Sequence, residues 1–213
     1  MWAKIKKKLR IKWLIAKWSS LIAQLNYRKC LFLGKVYFGP YMAARQGDVK
    51  RCYFMQKLVE HEIARGGFKK FRILEIGSWA GGSTITWAEA VKNSGCQGGI
   101  YCVDHWADYH SSPYAISKMF KKNKVFELFQ HNISASGYQD MIFVLRGPSD
   151  KILPVLHHEQ FDLIFIDGDH SYQGLSNDMC NSAPLLKEGG VLCGDDLELQ
   201  YIDININHAK KNL

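Results

Sequence analysis

The sequence predicts an α/β fold: a doubly wound, mostly parallel sheet with helices on both faces. Two observations carry that expectation. From residue 71 onward, short apolar runs alternate with helix-like stretches, the order that buries a parallel sheet beneath its crossovers. The first run also passes directly into a glycine-rich corner, R-I-L-E-I-G-S-W-A-G-G-S-T over residues 72–84, where such sheets hold ligands.

Ahead of the sheet, Trp2, Ile5, Leu9, Trp13, Ala16 and Trp18 recur at roughly helical spacing, and Leu21, Ile22 and Leu25 extend the pattern. Lys4, Lys6, Lys7, Lys8, Arg10, Lys12 and Lys17 interleave with them. This pattern predicts a basic amphipathic helix with aromatics suited to a lipid interface. A helix packed on its own domain or on a partner is the alternative. Residues 35–46, containing Gly39-Pro40, read as a connection. A helix is expected over 48–64, with Val49, Cys52, Tyr53, Gln56 and Val59 near one face, ending at Gly66-Gly67. Strands are expected at 71–76, 99–104, 141–146, 161–167 and 191–194. Helices are expected at 83–93, within 114–135, at 150–157 and at about 174–186. The chain thus divides into an arm, 1–47, and one domain, 48–213.

Charge follows the same division. The 213 residues carry a net +8, yet residues 1–47 hold eleven Lys or Arg and no acid. Residues 48–213 hold seventeen basic and twenty acidic side chains. The basicity belongs to the arm, and nothing downstream reads as a nucleic-acid groove. The six cysteines form no C-x-x-C pair, which suits reduced thiols in a cytoplasmic protein. No run of eighteen apolar residues predicts a membrane span, and the N-terminus lacks a signal-peptide core and cleavage site. A cytoplasmic chain with peripheral membrane contact through residues 1–26 is the expectation, and an oligomer is compatible with it.

The corner carries the first chemistry. Gly77, Gly81 and Gly82 let backbone approach a ligand, and the following helix offers unpaired N–H groups. Trp79 stands where a dinucleotide fingerprint has its middle glycine. Glu75 precedes the first glycine, a placement suited to hydroxyls and an ammonium more than to a pyrophosphate. Acids then stand at four of the five strand ends: Glu75, Asp104, Asp167 and the pair Asp195-Asp196. Carboxylates so grouped repel unless a cation sits among them. Asp104 is placed to accept ribose hydroxyls, and His105 and Trp106 could cover an adenine face, with simple packing an equal alternative for Trp106. Asp167, Asp195 and Asp196 could give a hard divalent ion its oxygen ligands. His170 is then a candidate base. A histidine bonded to backbone in a turn is the plainer alternative.

With these residues in place, the chain resembles the class I S-adenosylmethionine-dependent methyltransferases, over roughly 54–199. E-I-G-S-W-A-G-G-S is similar to the glycine loop of small-molecule O-methyltransferases such as the catechol and caffeoyl-coenzyme A enzymes. I-D-G-D-H-S-Y and G-G-V-L-C-G-D-D resemble bacterial enzymes that modify sugars and antibiotics. The resemblance implies a Rossmann-like methyltransferase fold and an O-methylation of a small hydroxylated acceptor such as a sugar, glycolipid or natural product. It implies S-adenosylmethionine held by Glu75, Gly77, Ser78, Trp79, Gly81, Ser83, Asp104, His105, Ser149 and Asp150. It also implies magnesium or a similar ion on Asp167, Asp195 and Asp196, with Asp167 and His170 as the catalytic residues. His170 falls where the catechol enzyme has its catalytic lysine. One departure stands out: after the fifth strand these enzymes add an antiparallel hairpin. Here residues 201–207 alternate like one strand and a second is missing. The competing expectations are a non-catalytic or truncated relative that binds without turnover, and a nicotinamide or nucleotide-sugar enzyme on a similar sheet.

Overall fold

The computed structural model describes residues 2–41, 46, 48–107 and 123–195, with side chains described from residue 14 onward. Its elements are α1 (Trp2–Phe32), α2 (Val49–Gly66), β1 (Lys70–Ile76), α3 (Gly82–Asn93), β2 (Gln97–Asp104), α4 (Lys124–Ser136), β3 (Ile142–Arg146), α5 (Ser149–Ile152), β4 (Phe161–Ile166), α6 (Tyr172–Ser182) and β5 (Leu186–Gly194). The strands form one parallel sheet in the order β3-β2-β1-β4-β5. This is the doubly wound fold the sequence predicts. Successive strands spread to one side of β1 and then to the other, so a crevice opens between β1 and β4 at their carboxyl ends.

Alternation along the strands builds two cores. In β1, Ile73 joins Phe71, Trp87, Ile100, Leu163 and Phe165 on one face. Leu74 and Ile76 join Val103, Leu153, Phe161, Ile164 and Leu185 on the other. All of these are buried. β4 is buried along its whole length, as a central strand covered on both faces must be.

Several boundaries differ from expectation for local reasons. β5 begins at Leu186, five residues before the expected 191. Gly189, at φ 73, accompanies a register shift between Phe161 and Leu163 and interrupts the apolar run by which a strand is recognised. The helix expected over 150–157 stops at Ile152 and tightens into a 3-10 turn containing Pro154. The helix expected to reach 186 ends at Ser182, before a 3-10 turn containing Pro184. Proline has no N–H to continue an α-helical ladder. α2 is capped by Asp48, which accepts from the Lys50 and Arg51 amides at 3.0 and 3.1 Å. Its buried side chains are Met55, Val59 and Glu62, whereas Val49 and Tyr53, expected near one face with Val59, face solvent.

The first part of the arm is one continuous helix, α1 (Trp2–Phe32). Leu14, Ile15, Trp18, Leu21, Ile22 and Leu25 are all exposed on it. The connection that follows docks on the domain. Tyr37 is buried, its N–H donates to Asn132 Oδ1 at 2.8 Å, and Asn132 Nδ2 donates to Tyr37 O and Ala80 O at 3.1 and 2.9 Å. Among the described residues no helix is long and apolar enough to cross a membrane. The expected strand at 201–207 lies outside the described residues, as do Asp196 and most of the segment between β2 and α4.

Candidate active site

β1 delivers the chain into the glycine loop, and the loop geometry explains its composition. Gly77 adopts φ 89, and a Cβ there would stand 2.0 Å from the Asp167 carbonyl oxygen. Gly81 adopts φ 88 and closes the loop by donating to Ser78 O at 2.8 Å. Trp79 also has positive φ, 48, which a bulky residue holds only when its surroundings enforce it. The enforcement is visible. Trp79 N donates to Asp104 Oδ2 at 2.9 Å, and its carbonyl accepts from Trp106 Nε1 at 2.7 Å.

Asp104 is the clamp of this corner. Oδ2 accepts from the Ser78 and Trp79 amides at 3.0 and 2.9 Å, and Oδ1 from the Trp106 amide at 2.6 Å. Burial pushes its carboxyl above the ordinary range, while the three N–H bonds pull the other way. Glu75 is fully buried beneath the loop and accepts from Ser78 Oγ at 2.7 Å and from Thr84 Oγ1. Burial likewise raises the Glu75 carboxyl, against the hydroxyl bonds around it.

A cavity opens above the clamp. Gly77, Asp104 and His105 form one wall, Gly147, Ser149 and Asp150 a second, and Gly168, Asp169 and Asp178 a third. Half of the expected cofactor residues therefore lie on the wall. Glu75, Ser78 and Ser83 lie buried below it, where they shape the loop. Trp79 and Gly81 pack against neighbouring core side chains. For Trp106 the packing alternative holds: it is 1% exposed and packed against Phe126 and Phe129, a core residue and not a cover for adenine. Asp178, on α6, was not foreseen. It is buried, its carboxyl is pushed up by that burial, and its Oδ1 accepts from Ser149 Oγ at 2.5 Å. A lone acid inside a helix gives no signal of this in sequence.

The wall and clamp fit an adenosine-bearing cofactor. An acid whose oxygens retain lone pairs stands at the end of β2. Hydroxyl and carboxyl groups follow β3. Ile76, Val103 and Pro148 add apolar surface between them.

The other end of the crevice is built from acids and one base. Ile166 pairs with Gly194 across β4 and β5, so Asp167 and Asp195 emerge side by side. The cation between them is Arg51, from the first turn of α2. Its Nη2 donates to Asp167 Oδ2 at 2.7 Å, and its Nη1 lies 2.5 Å from Asp195 Oδ2. The guanidinium also stands over the Phe165 ring, 5.5 Å from its centroid. Burial opposes its charge, but the Asp167 bond and the charges of Asp167, Asp195 and Glu75 outweigh that and hold its pKa above the ordinary value. This arrangement does not fit a divalent ion. Such an ion needs several oxygens converging on one point, and here a cation already takes one oxygen from each carboxylate. Among the described residues no group of three or more His, Cys, Asp or Glu could hold a metal. His170 is exposed in the turn between β4 and α6 and is not on the cavity wall. Its neighbour Asp169 fixes that turn by accepting from Ser171 N and Oγ at 2.9 and 3.0 Å.

Comparison with known proteins bears on this geometry. A family model described as "Methyltransferase domain" matches residues 74–197, which include the loop, the clamp and both strand ends. The chain is 31% identical over 107 residues to a catechol O-methyltransferase of Mycobacterium tuberculosis. That match covers 50% of this chain and 40% of the relative, so the chain spans well under half of that protein's length. Among solved structures, the O-methyltransferase NovP superposes with a TM-score of 0.57 at 18% identity, over 78% of this chain and 73% of NovP. The O-methyltransferase TomG from Streptomyces achromogenes, solved with S-adenosylmethionine, superposes with a TM-score of 0.55 at 18% identity, over 76% of this chain and 63% of TomG. At these identities the two structures bear on the fold.

Proposed function

The chain belongs to the methyltransferase domain family, and from that premise we propose that it transfers a methyl group from S-adenosylmethionine to the hydroxyl of a small acceptor. The observation that carries the reading is Asp104, which closes the glycine loop and faces the cavity at once. The catechol O-methyltransferase relative supports oxygen as the atom methylated. The acceptor is taken as a small hydroxylated molecule: a sugar, a glycolipid headgroup or a natural product.

When bound, the cofactor supplies an activated methyl on a sulfonium, so the chain's own work is holding and proton transfer. Gly77 brings backbone against the ligand. Asp104 accepts the ribose hydroxyls with its remaining lone pairs. Ser149, steadied by Asp178, and Asp150 form the adenine end. His170 accepts the proton that leaves the acceptor hydroxyl. The deprotonated oxygen would be the nucleophile toward the methyl that the bound cofactor would supply, with the sulfonium sulfur as leaving group. No step is routed through a divalent ion. The magnesium-assisted form would need Asp167, Asp195 and Asp196 as ligands, and two of the three are engaged by Arg51.

Titration calorimetry with S-adenosylhomocysteine tests the reading. Saturable binding is expected, with no binding of NAD. NAD binding would favour the nicotinamide alternative, and silence from both would favour a non-catalytic relative. With an acceptor in hand, His170→Ala should lower turnover by about a hundredfold or more and leave S-adenosylhomocysteine affinity unchanged.

The arm is proposed to touch a membrane surface. The exposed stripe of Leu14, Trp18, Leu21 and Leu25 on a helix rich in lysine supports this. Sedimentation with anionic liposomes should carry down the intact chain and leave a chain lacking residues 1–26 in solution. Equal partitioning would reject the attachment.

A further inference from the structure

We propose that Arg51 is the resident cation of the acceptor end: it bridges Asp167 and Asp195 where a divalent ion would otherwise bind, and the site admits such an ion only when Arg51 is removed. The inference rests on the methyltransferase reading for its idea of an acceptor end, but its geometry stands by itself.

Two carboxylates on adjacent parallel strands face one another, and their repulsion must be offset. A planar guanidinium offers two N–H groups in a fork, one for each carboxylate, and the distances of 2.7 and 2.5 Å match such a bridge. Arg51 is also held from behind. Asp48 accepts its backbone N–H at 3.1 Å and fixes the first turn of α2, and the Phe165 ring lies under the guanidinium. The same stretch of chain reaches the cofactor end, because Gln46 Oε1 accepts from Gly82 N at 3.0 Å. The entry into α2 therefore straps both ends of the crevice. A metal entering between Asp167 and Asp195 would have to break both bridges and displace the positive charge that holds them. Arg51 acts through the acids it holds and is a positioning residue.

The experiment is Mn2+ binding read by electron paramagnetic resonance, with melting temperature alongside, on the full chain. Wild type should show no saturable Mn2+ site and the same melting temperature in EDTA and in Mn2+. Arg51→Met keeps the length of the side chain and its packing on Phe165 but loses the fork. It should melt lower, gain a Mn2+ site at least roughly tenfold tighter than any in wild type, and recover melting temperature as Mn2+ is added. Arg51→Met/Asp167→Ala should lose that site again. Saturable Mn2+ binding by wild type with affinity equal to that of Arg51→Met overturns the proposal, and the wild-type arm alone can do so if the variant does not fold. An Arg51→Met protein that folds yet gains no site also overturns it. S-adenosylhomocysteine titrated into metal-free wild type separates the two claims, since binding there leaves the cofactor reading standing whatever Mn2+ does.

Discussion

At the β1–β2 end of the crevice, Glu75 Oε2 and both oxygens of Asp104 accept from amides and hydroxyls that all lie within residues 75–106. At the β4–β5 end, Asp167 and Asp195 are satisfied by a guanidinium that stands 116 positions before Asp167 in the chain. The first end is closed by local structure. The second depends on where one helix begins, so it can be opened by one side chain. On the reading proposed above, the locally closed end is the donor's and the end held by one distant side chain is the acceptor's.

The largest effect that would break the rigid end is Gly77→Ala. Positive φ and a Cβ 2.0 Å from the Asp167 carbonyl leave no room. Urea denaturation should show a loss of about 3 kcal/mol, and calorimetry should show S-adenosylhomocysteine binding abolished. Asp104→Ala comes next. It leaves three backbone N–H groups without their carboxylate, and the cofactor product should bind roughly a hundredfold more weakly. Asp178→Ala frees Ser149 on the second wall and should cost roughly tenfold in the same titration, about 1.4 kcal/mol. Asp178→Asn, which can still accept from Ser149, should recover most of it.

The smallest effect is a pH slope. Glu75 in the folded chain has a pKa above its ordinary 4.5, so near and above that value the folded chain keeps a proton that the unfolded chain has released. Its contribution to stability is fully present below 4.5 and is lost as pH rises toward the folded value. Glu75→Gln cannot titrate, so melting temperature against pH should fall less steeply for it over that interval. An identical slope would show that Glu75 stays ionised in the folded state.

The same contrast decides what could be read from sequence. The fold class, strand order of appearance, glycine loop and strand-end acids are local patterns, and they were legible. Trp79 illustrates how far local reading reaches. It was marked as out of place in a dinucleotide loop, and its positive φ and bond from Trp106 show what it does there. Trp106 shows the limit. Its position after Asp104 suggested a ligand contact, but its neighbours in space are Phe126 and Phe129 on α4, which spacing along the chain does not reveal. Arg51 is the sharper case. The acids called for a cation, and sequence offered only a metal because nothing in α2 pointed at β4. Asp178 was invisible for the same reason, since its partner Ser149 lies on another helix.

The proposed function places the cofactor over the Asp104 clamp. Amide hydrogen exchange with and without S-adenosylhomocysteine tests it most directly. Protection is expected at residues 77–79, at His105 and at Gly147, Ser149 and Asp150. Protection confined instead to the groove lined by Lys92, Gln97 and Tyr138 at the opposite end of the sheet, or no protection at saturating ligand, would contradict it.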